Sequence, residues 1–221
     1  MTRGYLPQTP KLSPRLQMIA QMVPYCNRVI DIGTDHAFIP IYLVATGKCA
    51  EAVATDIKKG PADIARRNIS EYCMEDLISV LVQDGLGEIG LNENDCLVIS
   101  GMGSYEIQSI LMKKAPVNAG TIILQPQKSM RAMRKFLSET GYRINEEVMT
   151  NEKEHFYVAM DVTYTGISYE LSPLELEAGP CLAANMTVDY KNHLIKKLRK
   201  QIIGDPSLAG ILKELEDEVS I

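Results

Sequence analysis

Apolar residues along this chain fall into two patterns that take turns. Short unbroken runs alternate with stretches in which apolar positions recur every three or four residues, and the two predict strands and helices in succession. The runs are Val29-Ile30 with Ile32, Ala52-Val53-Ala54, Ile78 to Val82, Cys96-Leu97-Val98-Ile99 and Thr121-Ile122-Ile123-Leu124. Such runs suit strands covered on both faces, as in a parallel sheet. Helical spacing is found over residues 11–23 (Leu12, Leu16, Ile19, Ala20, Val23), with Ser13-Pro14 as a start signal, and over 40–46, closed by Gly47. A third helix begins at Gly60-Pro61, with Ile64, Ala65, Asn68, Ile69 and Tyr72 inward and Arg66 and Arg67 toward water. Residues 105–114 and 128–140 give two more; the second turns Met130, Met133 and Leu137 inward and carries Lys128, Arg131, Arg134 and Lys135 on its outer face. Residues 142–149 and 156–164 then read as strands joined by a polar loop over 150–155, short enough for an antiparallel pair. Five strand–helix units and this pair predict a doubly wound α/β domain. From Leu171 the pattern is helical only. Val188, Leu194, Ile195, Leu198 and Ile202, then Leu208, Ile211, Leu212, Leu215 and Val219 after Gly204-Asp205-Pro206, predict a two-helix hairpin that buries too little to stand alone.

The strand ends carry the candidate chemistry. Ligands of open α/β sheets bind at the carboxyl ends of the strands, and the first run closes on Asp31-Ile32-Gly33-Thr34-Asp35-His36. The second closes on Asp56-Ile57, where a carboxylate can accept hydrogen bonds from both hydroxyls of a ribose. The third closes on Gln83-Asp84-Gly85, with Asp84 placed to hold an adenine amine, and the fourth on Ser100-Gly101-Met102-Gly103, whose glycines allow backbone to approach a ligand. The first turn lacks the G-x-G-x-x-G fingerprint of dinucleotide sites, because its second and third glycine positions hold Asp35 and Phe38. Two carboxylates there repel a pyrophosphate and attract a cationic ligand. S-adenosylmethionine, with its sulfonium and α-ammonium, is such a ligand.

Composition narrows the field further. A net charge of -5 excludes a protein that coats nucleic acid indiscriminately, yet the cations are clustered: Lys191, Lys196, Lys197, Arg199 and Lys200 fall on one predicted helix. That run is either a grip on phosphates or a solvated face neutralised by Glu214, Glu216, Asp217 and Glu218. The five cysteines are scattered without C-x-x-C spacing and the three histidines do not pair at ligand spacing, so neither a disulfide framework nor a metal site is expected. No apolar run approaches the roughly 20 residues that span a bilayer, and the polar, proline-bearing start has no signal-peptide core. The expected location is cytoplasmic.

Taken together, Leu12-Ser13-Pro14-Arg15-Leu16, Asp31-Ile32-Gly33-Thr34-Asp35-His36-Ala37, Asp56, Gly60-Pro61, Asp84-Gly85-Leu86, Gly101-Met102-Gly103 and Leu124-Gln125-Pro126 resemble the bacterial tRNA (adenine-N1)-methyltransferase family that modifies adenine 22. One departure is Gly103-Ser104, where that family has a glycine pair. The resemblance implies a class I methyltransferase: a Rossmann-like seven-stranded sheet with an antiparallel last strand over 1–166, and a coiled-coil-like helical hairpin over 167–221 that holds tRNA. It implies S-adenosyl-L-methionine as cofactor, held by Asp31, Gly33, Asp35, Asp56, Ile57, Asp84, Gly85, Gly101 and Met102. Arg15, Lys196, Lys197, Arg199 and Lys200 are the expected RNA contacts, with Gln125 at the adenine edge and Pro126 as an apolar ledge. Methylation of a purine nitrogen needs orientation above all. Asp35 and His36 are the candidates to take the amine proton; the other reading is that they only shape the cofactor turn. Two rivals stand beside this one: a catalytically silent S-adenosylmethionine- or RNA-binding protein of the same fold, and a nicotinamide oxidoreductase, which the missing glycines disfavour.

Overall fold

Residues 8–153 and 155–217 are described by the computed structural model. The five apolar runs form parallel strands β1 (Cys26–Ile32), β2 (Cys49–Asp56), β3 (Ile78–Val82), β4 (Asp95–Met102) and β5 (Thr121–Pro126). With the antiparallel β6 (Tyr142–Glu152) and β7 (His155–Tyr164) they make one sheet of seven in the order β3-β2-β1-β4-β5-β7-β6. Register aligns the carboxyl ends: Ile32 lies beside Thr55 on one side and Ile99 on the other, and Ser100 beside Gln125. The crevice therefore opens where β1, β2 and β4 end together.

Alternate residues of each strand feed opposite cores, as the period of two requires. Val29, Ala52, Ala54, Val98 and Ile123 meet α1 (Pro14–Met22), α2 (Phe38–Ala45) and α3 (Lys59–Glu71) through Ile19, Ile41 and Ile69. Ile30, Ile32, Leu97, Ile99 and Leu124 meet α4 (Ser104–Lys113) and α5 (Met130–Glu139) through Ile107, Leu111, Met133 and Leu137. Helix α1 starts three residues later than its apolar spacing suggests, because Ser13 caps it by accepting from the Leu16 N–H at 3.4 Å. Strands β6 and β7 run through most of the loop expected over 150–155, pairing as far as Glu152 with His155.

The tail folds as α6 (Pro173–Ala178), α7 (Pro180–Ala183), α8 (Val188–Gln201), a 3-10 turn (Pro206–Leu208) and α9 (Ala209–Asp217). Tyr190, Leu194 and Leu198 pack on Leu208, Ile211 and Leu215, with Met149 and Phe156 of β6 and β7 against them. Val188, expected inside, is 74% exposed. Glu218 and Val219 lie outside the described residues.

Arg134 is the main departure from the expected pattern. Its guanidinium is fully buried instead of facing solvent. Nε donates to Glu147 at 2.9 Å, and the other nitrogens donate to the carbonyls of Leu176, Glu177 and Ala178 at 3.1, 2.8 and 3.2 Å. These are the last carbonyls of α6, which the helix itself leaves without partners. Glu147 also accepts from the Cys181 N–H at 3.1 Å. Between α6 and α7, Gly179 has φ +103°, and a Cβ there would sit 2.2 Å from Glu147 Oε2, so the joint closes only on glycine. One arginine on α5 thereby fastens the start of the tail to β6.

Candidate active site

The turn after β1 is wound into an unusual backbone. Gly33 has φ +75°, and Asp35 and Ala37 also adopt left-handed φ values of 49° and 56°. Non-glycine residues in that region carry strain of about 1–3 kcal/mol each and concentrate at functional sites. The Gly33 and Thr34 N–H groups donate to the Thr55 carbonyl at 2.8 and 2.9 Å, tying the turn to β2. A Cβ on Gly33 would lie 2.0 Å from Met102 Cε, so the first turn and the end of β4 touch across the crevice.

Two cavities meet at that contact, sharing Gly33, Asp35 and Met102. The larger, about 480 Å³, is bounded by Ile32, Thr55, Asp56, Ile57, Pro61, Gln83, Asp84, Gly85, Glu106 and Ile110. Asp56 is shaped by the Lys58 N–H donating to its Oδ1 at 2.9 Å, and Ile57 is 63% exposed beside it. Asp84 forms an ion pair with Lys113 of α4, both half-exposed. The buried Thr55 hydroxyl has no hydrogen-bond partner among the described residues. Such an orphan is uncommon in a folded chain and suits a site that receives a polar ligand.

The smaller cavity, about 270 Å³, is lined by Arg15, Asp31, Thr34, His36, Phe38, Ser100, Gly101 and Gln127, among others. Asp31 is buried, and burial pushes its carboxyl up to about 6; the Thr34 hydroxyl, donating at 2.6 Å, opposes that rise and the nearby Asp56 charge adds to it. Arg15 is drawn into the cavity by Gln125, whose Oε1 accepts from Nη1 at 3.0 Å, and its guanidinium lies 5.9 Å from the Tyr157 ring centroid. Opposite charges, one of them desolvated, thus face one small space.

A family model described as a methyltransferase domain matches residues 12–160. The tRNA (adenine(22)-N(1))-methyltransferase of Bacillus subtilis (strain 168) is 35% identical over 182 residues, which are 78% of this chain and 75% of that protein. The chain belongs to this methyltransferase family. Among solved structures, the B. subtilis m1A22 tRNA methyltransferase TrmK is 29% identical with a TM-score of 0.78, covering 94% of this chain and 95% of that one. TrmK of M. capricolum, in complex with the natural cofactor product S-adenosyl-homocysteine, is 28% identical with a TM-score of 0.76 and 94% coverage of both chains.

Within this methyltransferase fold, the residues expected to hold cofactor, Asp31, Gly33, Asp35, Asp56, Ile57, Asp84, Gly85, Gly101 and Met102, all border one of the two cavities. Asp35 and His36 stand together at the rim, Oδ2 to Nε2 at 3.4 Å and both exposed. Gln125 and Pro126 lie deeper than expected. Gln125 is fully buried, with Oε1 on Arg15 and Nε2 donating to the Pro126 carbonyl at 2.9 Å, so its amide orients Arg15 and has no free end for a base. The exposed amide that does border the cavity is Gln127, two residues on. Ser104, the departure from the family's glycine pair, is buried and donates to the carbonyls of Lys128 and Ser129, anchoring α4 to the loop after β5.

Of the tail cations on α8, Lys196, Arg199 and Lys200 line a groove with Glu216 of α9 that shares no lining residue with either cavity. Lys197 pairs with Glu177 at 3.0 Å and Arg199 with Glu216 at 2.8 Å. Lys196 and Lys200 are exposed, with no ion pair among the described residues. Phe38, Thr55 and Gln127 also line the cavities, and the strand-end pattern alone does not single them out.

Proposed function

We propose that this protein transfers a methyl group from S-adenosyl-L-methionine to N1 of adenine 22 in tRNA. The observation that carries the reading is the pair of cavities meeting at the Gly33–Met102 contact, one lined by carboxylates at the ends of β2 and β3 and one holding Arg15 and Asp31. The larger cavity fits the nucleoside part of the cofactor. Asp56 accepts the ribose hydroxyls, Ile57 covers the base, Asp84 takes the adenine amine, and the unpartnered Thr55 hydroxyl gains a polar neighbour. The smaller cavity fits an amino-acid end, with Asp31 for the ammonium and Arg15 for the carboxylate. Arg15 thereby turns from an RNA contact into a cofactor contact, because Gln125 holds its guanidinium inside the crevice.

When bound, the cofactor supplies an electrophilic methyl on a sulfonium. The chain's own task is orientation: to bring the adenine N1 lone pair into line at the junction of the cavities and to exclude water. As positive charge grows on the purine, the carboxylate of Asp35, paired with His36 at the rim, is placed to receive the amine proton. Gln127 is the amide left to read the adenine edge. Residues 1–166 form the catalytic part and 167–221 the part that grips tRNA, with Lys196, Lys200 and Arg199 as its cations and Lys197 tied back to Glu177. A silent protein of the same fold is disfavoured by the four complete strand ends. Titration calorimetry with S-adenosylmethionine and with NAD, followed by transfer of labelled methyl to bulk tRNA, tests the reading. Binding of the first ligand alone, with label entering RNA, supports it; binding without transfer favours the silent alternative.

A further inference from the structure

His36 is held in a way that neither cofactor binding nor proton transfer accounts for. The residues on either side of it, Asp35 and Ala37, both adopt left-handed backbone, and its carbonyl accepts from Asn68 Nδ2 of α3 at 2.8 Å. The imidazole lies flat on Phe38, with an interplanar angle of 9° and centroids 5.4 Å apart, the offset stack that aromatic rings prefer. Nε2 faces Asp35 at 3.4 Å. One face of the ring is thus covered and one nitrogen engaged, yet the side chain is 49% exposed and both rings border the smaller cavity. About half of the imidazole is thus left accessible at the rim of that cavity.

We infer that the open face of His36, backed by Phe38, is the surface on which the acceptor adenine stacks. An enzyme that works on a base inside a folded nucleic acid must take it out of its stack, and flat side chains offset that cost by stacking the extruded base. A two-ring stack braced by Asp35 and set on a strained turn is a rigid shelf of that kind. Adenine added as a third member would stand on the His36 side of the smaller cavity, next to Asp35, which both cavities share and where the methyl group must arrive. The inference rests on the methyltransferase reading above, and gives His36 a binding role in place of a proton-accepting one.

The decisive comparison is His36→Phe against His36→Asn, in single-turnover methylation of tRNA and in the emission of a tRNA carrying 2-aminopurine at the acceptor position. S-adenosylhomocysteine affinity, measured for each, should stay at the wild-type value. A phenyl ring keeps the face but loses both nitrogens and with them the Asp35 contact, so His36→Phe should lose clearly less rate than His36→Asn and still quench the probe. The asparagine variant should lose roughly 5- to 150-fold in rate, the range for removing one base–aromatic stack, and leave the probe bright. Phe38→Leu, which removes the backing ring outside the strained turn, should give a smaller loss of the same kind. If His36→Phe falls with His36→Asn in rate and both leave the probe bright, stacking is overturned and the imidazole nitrogens matter. Wild type that quenches the probe but transfers no methyl would overturn the functional reading and leave the shelf standing.

Discussion

Replacing Asp31 by Asn should make the cofactor-free protein more stable at neutral pH while impairing cofactor binding. The Asp31 carboxyl is buried and titrates at about 6, against 3.8 in an open chain. One pKa unit corresponds to about 1.4 kcal/mol, so forcing this group to ionise inside the fold costs about 3 kcal/mol at pH 7. Between about pH 4 and pH 6 the unfolded chain has released this proton and the fold still holds it. Folding is therefore favoured at the acid end of that window, and the cost accumulates as the pH rises through it. Asparagine has the same shape, can still accept from Thr34, and carries no charge to desolvate. Urea unfolding of both proteins at intervals from about pH 4 to pH 8 should give curves that coincide near pH 4 and diverge by about 3 kcal/mol above pH 6. The ammonium assigned to this carboxylate supplies the missing counter-charge, so wild-type affinity for S-adenosylmethionine should rise with pH up to about 6 and then level off. A variant that tracks wild type in parallel across the whole range would refute a desolvated carboxylate at this position.

Arg134→Met should destabilise by about 3–5 kcal/mol, the cost of leaving one partner of a buried ion pair alone, and Arg134→Met with Glu147→Leu should recover much of it; equal losses in calorimetric unfolding would mean the charges are not coupled. Asp56→Ala should weaken S-adenosylmethionine and S-adenosylhomocysteine alike by about 1–3 kcal/mol, read by titration calorimetry, and unchanged affinity would remove it from the site. Neutralising Lys196 and Lys200 to Gln should flatten the slope of log tRNA affinity against log salt by a little under one for each phosphate that a lysine had neutralised. Parallel lines would return these lysines to a solvated face.

The sheet and its strand ends were legible because parallel strands buried on both faces read as apolar runs, and because Asp31, Asp56 and Asp84 each close one. What escaped depends on partners far along the chain. Gln125 ends its strand like a ligand-facing residue, yet an arginine 110 residues earlier occupies its amide. Arg134 sits at a helical position that reads as solvent, since charged residues are almost never fully buried unless paired; its partners, Glu147 and the end of α6, lie 13 and more than 40 residues later. The β6–β7 extension was hidden by polar residues such as Thr150, Asn151 and Glu152, which pair by backbone and carry no apolar signal. Acidic residues on the last helix do neutralise part of the basic run, through Arg199 with Glu216, while Lys197 is taken by Glu177 of α6.

Methyl transfer to adenine 22 specifies a position as well as a reaction, and one experiment tests both. Two tRNA transcripts, one unchanged and one with guanine in place of adenine 22, are incubated with the purified protein and S-adenosylmethionine and then digested for nucleoside mass spectrometry. One equivalent of 1-methyladenosine in the unchanged tRNA and none in the guanine-bearing transcript is the predicted result. Absence of 1-methyladenosine, or its persistence when adenine 22 is gone, would contradict the account.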